Sequence, residues 1–443
     1  MRAEGTALQR LLARFARVEP GEVAAVVAAF FLFFFVLGSY FAVRPVRETV
    51  ATLLGRDRVA DLWLYTALFS IAIVPLYGWL VARVRRSLLL PCIYGAVALT
   101  LAIIGSYIQV DEGNMQVGTF FYVWISVLNL MLVSVFWSFL LEMFDREQTK
   151  RLFGFIAAGG TFGALVGPLT ARLTVEYIGN AGVLYLGTVG FLCAIVCQRM
   201  LIGIWNNAPA ASISGDGATA SALQVRNDEG LGGNPFAGIM IVLRSPYLLG
   251  IASFVVLLSA VNTFLYFEQL RIVSETFADT TARTEMFATI DFVVQSLTIF
   301  SQLFLTGRIA SRLGVRTLLT FVPIIMIGGF MLLSVLNVFG MIALLLVVRR
   351  WGEYAFIRPG REMLWGSLDK ESKYKAKSFI DVPVYRAADY VGAQAKSALD
   401  AVGATPAGAA IIGAGIAALW AANGWMLGRR YDRGSERNKK DEP

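Results

Sequence analysis

The chain is a succession of apolar runs about 20 residues long, separated by short polar clusters rich in arginine. That is the length a helix needs to cross a bilayer core. The runs fall at 22–43, 61–82, 88–109, 118–141, 152–174, 181–203, 246–270, 284–306, 317–338, 339–357, 378–400 and 406–428. The pattern predicts an all-α membrane protein with twelve transmembrane helices, six on each side of a polar stretch. The run at 378–400 carries Asp381, Arg386, Asp389 and Lys396, so one of its faces must be turned away from lipid.

The polar clusters repeat at an offset of about 225 residues. Asp145-Arg-Glu-Gln-Thr-Lys-Arg151 returns as Asp369-Lys-Glu-Ser-Lys-Tyr-Lys375, and Phe155-Ile156 as Phe379-Ile380. Arg44-Pro-Val-Arg47-Glu48-Thr49 returns as Arg271-Ile-Val-Ser274-Glu275-Thr276, and Gly78 and Arg83 as Gly307 and Arg312. Echoes in one order predict two six-helix halves in parallel repeat, the layout of a rocker-type secondary transporter. The expected divisions are 1–21, a basic segment; 22–203, the first half; 204–245, a linker; 246–428, the second half; and 429–443, a tail.

Composition supports a membrane chain: 57% of residues are apolar and 16% charged, against roughly a quarter charged in soluble domains. With both termini in the cytosol, most of the 39 lysines and arginines fall on inner segments, the stretch Arg349 to Lys377 among them. Outer segments keep Arg44, Arg47, Arg56, Arg58, Arg172, Arg271 and Arg283. The positive-inside rule favours that orientation. The net charge of +8 then reflects basic loops against anionic lipid headgroups, with no nucleic-acid partner. Leu8, Leu11, Leu12 and Phe15 give the first segment an apolar face suited to the membrane surface. The apolar run after Gly21 is too long for a signal peptide and lacks a small-residue cleavage site. The stretch Asn206–Pro235, rich in Ala, Gly, Ser and Asn, reads as a flexible tether.

Histidine is absent, which excludes histidine catalysis, ligation and proton relay. Cys92, Cys193 and Cys197 lie in apolar helices, and no second cysteine pair completes a zinc site. No G-x-x-x-x-G-K-[ST] motif occurs. The expectation is a non-enzyme without metal or cofactor, driven by gradients or exchange. Gly159, Gly163 and Gly167 lie four apart within an apolar run, the pattern of close helix packing rather than of a phosphate cradle.

Ionisable groups inside apolar runs carry the candidate chemistry, because such groups persist in a bilayer only beside water, a partner or a substrate. Arg44 and Arg47, three apart, share a face of a continuing helix and could clamp a phosphate or carboxylate. Glu48 lies four after Arg44 and could pair with it; the alternative is a snorkelling outer helix end. Arg271 and Glu275 echo this set as gate or architecture. Arg386 and Asp389, with Asp381, either bind and gate or form an internal neutral pair; Lys396 could extend their positive line. Asp291 and Glu268 are coupling candidates, and Asp291 or Gln302 could equally make a structural hydrogen bond. Arg358 and Arg361 either anchor the inner side or bind an anion there. The mixed-charge loops around Asp145 and Asp369 are either a latch between conformations or solvated helix caps.

Several stretches resemble the bacterial relatives of the ATP/ADP translocases. They are Tyr40-Phe-Ala-Val-Arg44-Pro-Val-Arg47-Glu48, Val135-Phe-Trp-Ser-Phe139 and Arg151-Leu-Phe-Gly-Phe-Ile-Ala-Ala-Gly-Gly160, and Asp381-Val-Pro-Val-Tyr-Arg386-Ala-Ala-Asp389. The resemblance spans most of the chain and implies a major facilitator fold and nucleotide exchange. It aligns Arg44 with the family's arginine, Arg47 with its functional lysine and Glu48 with its last acid. Pro45-Val46 stand where the family has Asp-Thr, and the acid it has in the outer part of the fourth helix has no match here, the region reading Ser126-Val-Leu-Asn129. These departures turn the expectation toward nucleotides or other phosphorylated or anionic solutes.

The combined expectation is a monomeric carrier of the bacterial inner membrane, working by alternating access with a small anionic solute. The spans at 22–43, 118–141, 246–270 and 339–357, with part of 378–400, would line its cavity. Arg44, Arg47, Arg386 and Lys396 would bind the anion, and Glu48 and Asp389 would hold the arginines in the empty state. A proton-coupled exporter would need an acidic site instead. A membrane scaffold or sensor would act through its tail and linker.

Overall fold

The computed structural model describes residue 19 and residues 22–83, 86–144, 146–206, 237–336, 338–367, 376–377 and 379–441. Most of the expected segments 1–21 and 204–245 lies outside the described residues, as do Asp145 and Asp369. Among the described residues the chain is helical and contains no strand. Seven helical stretches are long and apolar enough to cross a membrane: Val23–Leu54, Leu88–Val110, Met115–Leu141, Arg151–Ile204, Pro246–Thr276, Thr280–Val335 and Pro406–Arg433.

The chain forms two compact units, each taking a short segment from the other side of the sequence. One contains residues 1–50, 68–232 and 280–289; the other contains 51–67, 233–279 and 290–443.

The first unit holds most of α1 (Val23–Leu54), the part of α2 (Arg56–Arg83) from Leu68 on, and α3 (Arg86–Val110), α4 (Met115–Met143) and α5 (Arg146–Asn206). Asn114 caps α4, its side chain accepting from the N–H groups of Gln116 and Val117. The glycine stripe of α5 packs on α1. A Cβ at Gly159, Gly163 or Gly167 would run into the carbonyl oxygens of Phe30, Phe34 and Gly38 respectively. Only a hydrogen on the α-carbon lets the two backbones come this close, which realises the packing that the spacing predicts. α5 breaks at Gly179, with φ 66, a conformation that glycine reaches without penalty. That break divides one very long helix into two stretches, each of membrane-crossing length.

The second unit opens with α6 (Ala237–Arg244) and α7 (Pro246–Thr276). α8 (Thr280–Ser301) continues through a π-turn, Gln302–Thr306, into α9 (Gly307–Val335). α10 (Phe339–Gly352) continues through a second π-turn, Glu353–Ile357, into α11 (Arg358–Leu364). A third π-turn, Ile380–Val384, leads into α12 (Tyr385–Ala401), and α13 (Pro406–Asp441) closes the chain. The helix therefore continues through most of the expected tail.

Two local devices shape this unit. α9 breaks at Gly314, with φ 80. The carboxylate of Asp432 on α13 accepts from the N–H groups of Val315 and Arg316 at 3.0 and 3.2 Å, capping the restarted helix from another element. The second device answers Pro359. Proline has no N–H, so carbonyls four and five residues earlier lose their helical donor. Thr306 Oγ1 donates to Ala355 O at 2.8 Å and Gln302 Nε2 to Tyr354 O at 3.2 Å. Gln302 thus has the structural role that was one of its two readings.

Candidate functional site

In the first unit the site is organised by α1, which runs on to Leu54 and does not stop near residue 43. Arg44, Arg47 and Glu48 consequently lie inside the helix and not at a frayed outer end. Glu48 is buried. Arg47 donates to Ser126 Oγ on α4 at 3.1 Å, its guanidinium lies 5.3 Å from the Tyr122 ring centre, and it pairs with Glu48. Of the two arginines that Glu48 would hold, it pairs with Arg47. Arg44, one turn earlier, lies 5.9 Å from the Phe41 ring centre. Thr49 extends the polar line: it bonds Thr284 at 2.6 Å, which donates to Asn180 Oδ1 at 2.6 Å.

In the second unit the helices hold several charge pairs, some of them buried. Asp389 on α12 accepts from Ser259 of α7 at 2.5 Å and pairs with Arg386 at 3.7 Å. Asp381 pairs with Arg361 at 3.2 Å. Asp291 on α8, read from sequence as a lone carboxylate, pairs with Arg350 of α10 at 2.5 Å. Glu353 is held between Arg349 at 2.9 Å and Arg358 at 3.1 Å.

Lys396 does not extend a free positive line. Its ammonium is held by Glu268 at 3.1 Å and Asp400 at 2.5 Å, within a chain that continues to Arg271 on one side and Arg56 on the other. Arg271 also pairs with Glu275 at 2.9 Å. The coupling candidate Glu268 is therefore a shared counter-ion of Arg271 and Lys396. Lys396 reaches Asp400 because i and i+4 side chains share a face, and Glu268 comes to it from α7.

Sequence reading placed Arg349, Arg350 and Glu353 within the span 339–357 but counted the arginines with the inner charges and named none of the three as a site residue. The helix continues from Phe339 through Leu364. At about 1.5 Å per residue, Arg349 and Arg350 lie roughly 15 Å along it, near the middle of a hydrocarbon core about 30 Å thick. Both arginines and Glu353 are buried. The available signal was an acid four residues after Arg349, at helix-pairing distance.

Residues 26–357, well over half of the chain, match the sequence profile of the Major Facilitator Superfamily. Solved structures share the fold. A bacterial homologue of the human lysosomal transporter Spinster, in an inward-facing and unoccupied conformation, is 12% identical with a TM-score of 0.56, covering 94% of this chain and 98% of that one. The POT family transporter PepTSo is 14% identical with a TM-score of 0.59, covering 92% and 98%. The nucleoside transporter NupG is 13% identical with a TM-score of 0.57, covering 92% and 98%. No curated protein matches the sequence. The chain belongs to the Major Facilitator Superfamily. It is an integral multi-pass membrane protein and a secondary transporter of a small solute, not an enzyme.

Proposed function

We propose that this transporter exchanges an anionic solute, a nucleotide or a related phosphorylated compound, by alternating access. Arg44, Arg47 and Arg386 bind the anion. Glu48 and Asp389 hold Arg47 and Arg386 when the site is empty, and Lys396 serves as an internal counter-ion. The observation that carries this reading is Arg47: a guanidinium inside a membrane helix, oriented by Ser126 and Tyr122 and paired with a carboxylate that an anion can displace. Arginine presents parallel donors that match phosphate and carboxylate geometry.

The finer architecture belongs to the same proposal: twelve crossings in two six-helix halves, in a bacterial inner membrane with both termini cytosolic, working as a monomer. The breaks at Gly179 and Gly314 support that count. Asp145 and Asp369 remain proposed latch residues, and Glu275 and Asp381 proposed partners of the gating arginines.

The test is exchange in proteoliposomes loaded with ADP or ATP, with labelled ATP outside and Arg47→Ala as control. Uptake that requires internal nucleotide and collapses in the variant supports nucleotide antiport. Absence of uptake by folded, inserted protein overturns nucleotide exchange and moves the test to other phosphates and carboxylates. A proton-coupled reading draws on the buried Ser259–Asp389 contact. It predicts uptake driven by a pH gradient alone and lost in Asp389→Asn.

A further inference from the structure

At the end of α13 the helix changes from apolar to basic along a single face. Trp425, Arg429 and Arg433 follow one another at four-residue spacing, and all three are exposed. The Arg429 guanidinium lies 4.9 Å from the Trp425 ring centre. α9 meets α13 here. A Cβ at Gly428 would collide with the Arg316 backbone, and the Asp432 carboxylate is occupied by the N–H groups of Val315 and Arg316. Arg316 is exposed as well. Arg316, Arg429 and Arg433 form no ion pair among the described residues.

Height and surroundings narrow the ligand. Arg429 stands 23 residues beyond Pro406, about 35 Å at 1.5 Å per residue, just past a hydrocarbon core of about 30 Å. Exposed Met426 and Leu313 lie beside the cluster in sequence and Trp425 one turn below it. Tryptophan at this level marks the membrane interface. A soluble anion would use the charges and leave the adjoining apolar surface bare. A phospholipid would use both.

The geometry points to a binding site for an anionic phospholipid at the α9–α13 corner. Arg316, Arg429 and Arg433 hold the phosphodiester headgroup, and an acyl chain lies against Trp425. The corner is pre-formed because Asp432 and the close approach at Gly428 pin the two helices together.

The experiment uses full-length protein in detergent, titrated with phosphatidylglycerol, with phosphatidylcholine of the same acyl chains, or with inorganic phosphate. Bound lipid is counted by native mass spectrometry. Phosphatidylglycerol is expected to bind about tenfold or more tighter than phosphatidylcholine, and inorganic phosphate should not displace it. The variant Arg316→Gln/Arg429→Gln/Arg433→Gln should lose about tenfold or more of that affinity. Arg172→Gln/Arg199→Gln/Arg244→Gln, which removes equal charge from other exposed positions, should keep it. Trp425→Ala, leaving every charge in place, should weaken lipid binding, and it decides the matter if the triple variant fails to fold. Equal losses in the two triple variants, equal binding of the two lipids, displacement by inorganic phosphate, or an unaffected Trp425→Ala would each overturn the site.

Discussion

The Asp291–Arg350 pair is where a structural ion pair can be separated from a coupling site. Both residues are buried and their charged atoms are 2.5 Å apart. The Nε and Nη2 of Arg350 make no hydrogen bond, so Asp291 is the group that compensates its charge. At an effective dielectric near 20, attraction at that distance is about 6–7 kcal/mol. It offsets a desolvation penalty of several kcal/mol for each ion. Asp291→Asn keeps the shape and removes the compensating charge, so a loss of about 3–5 kcal/mol of stability is expected. Arg350→Gln should behave similarly. The double variant buries no uncompensated charge and should recover at least about 2 kcal/mol relative to the sum of the single losses. The assay is SDS-driven unfolding in mixed micelles, read by tryptophan fluorescence, followed by uptake measurements on each folded variant. A structural pair predicts that the double variant regains both stability and uptake. A coupling role for Asp291 predicts that it regains stability without gradient-driven uptake. Single variants as stable as the parent, or a double variant that loses the full sum, would refute the reasoning.

Two further outcomes follow from packing. Gly163→Ala should destabilise the first unit by about 1–3 kcal/mol through overpacking against α1, and more for Gly163→Leu. Gly154→Ala, where a Cβ meets nothing within 4 Å, should be neutral or slightly stabilising in the same unfolding assay. Thr306→Val should lose about 1–3 kcal/mol by leaving the Ala355 carbonyl without its donor. Pro359→Ala, which restores an N–H, should recover part of that loss; no recovery would show that the hydroxyl does not repair the proline break.

Periodicity and composition were enough for an all-helical membrane chain, because the length of an apolar run and the scarcity of charge are imposed residue by residue by the bilayer. The close packing of Gly159, Gly163 and Gly167 was legible for a similar reason: four-residue spacing puts small residues on one helix face whatever their partner is. Partner choice was legible within a helix, as for Arg386 with Asp389, but not between helices. Sequence spacing left open which arginine Glu48 meets, where the fold brings it to Arg47, and left Asp291 alone, where α10 supplies Arg350. Lys396 read as one more positive charge until Glu268 of α7 reached it. The span 339–357 contained Arg349 and Arg350, but their partners Glu353 and Asp291 became visible only in the fold. Local pattern therefore determined which segments are helices and which faces are small or apolar. Only the tertiary structure decided which charges neutralise one another, because ion pairing in a low-dielectric interior depends on distances of a few ångströms between residues far apart in the chain.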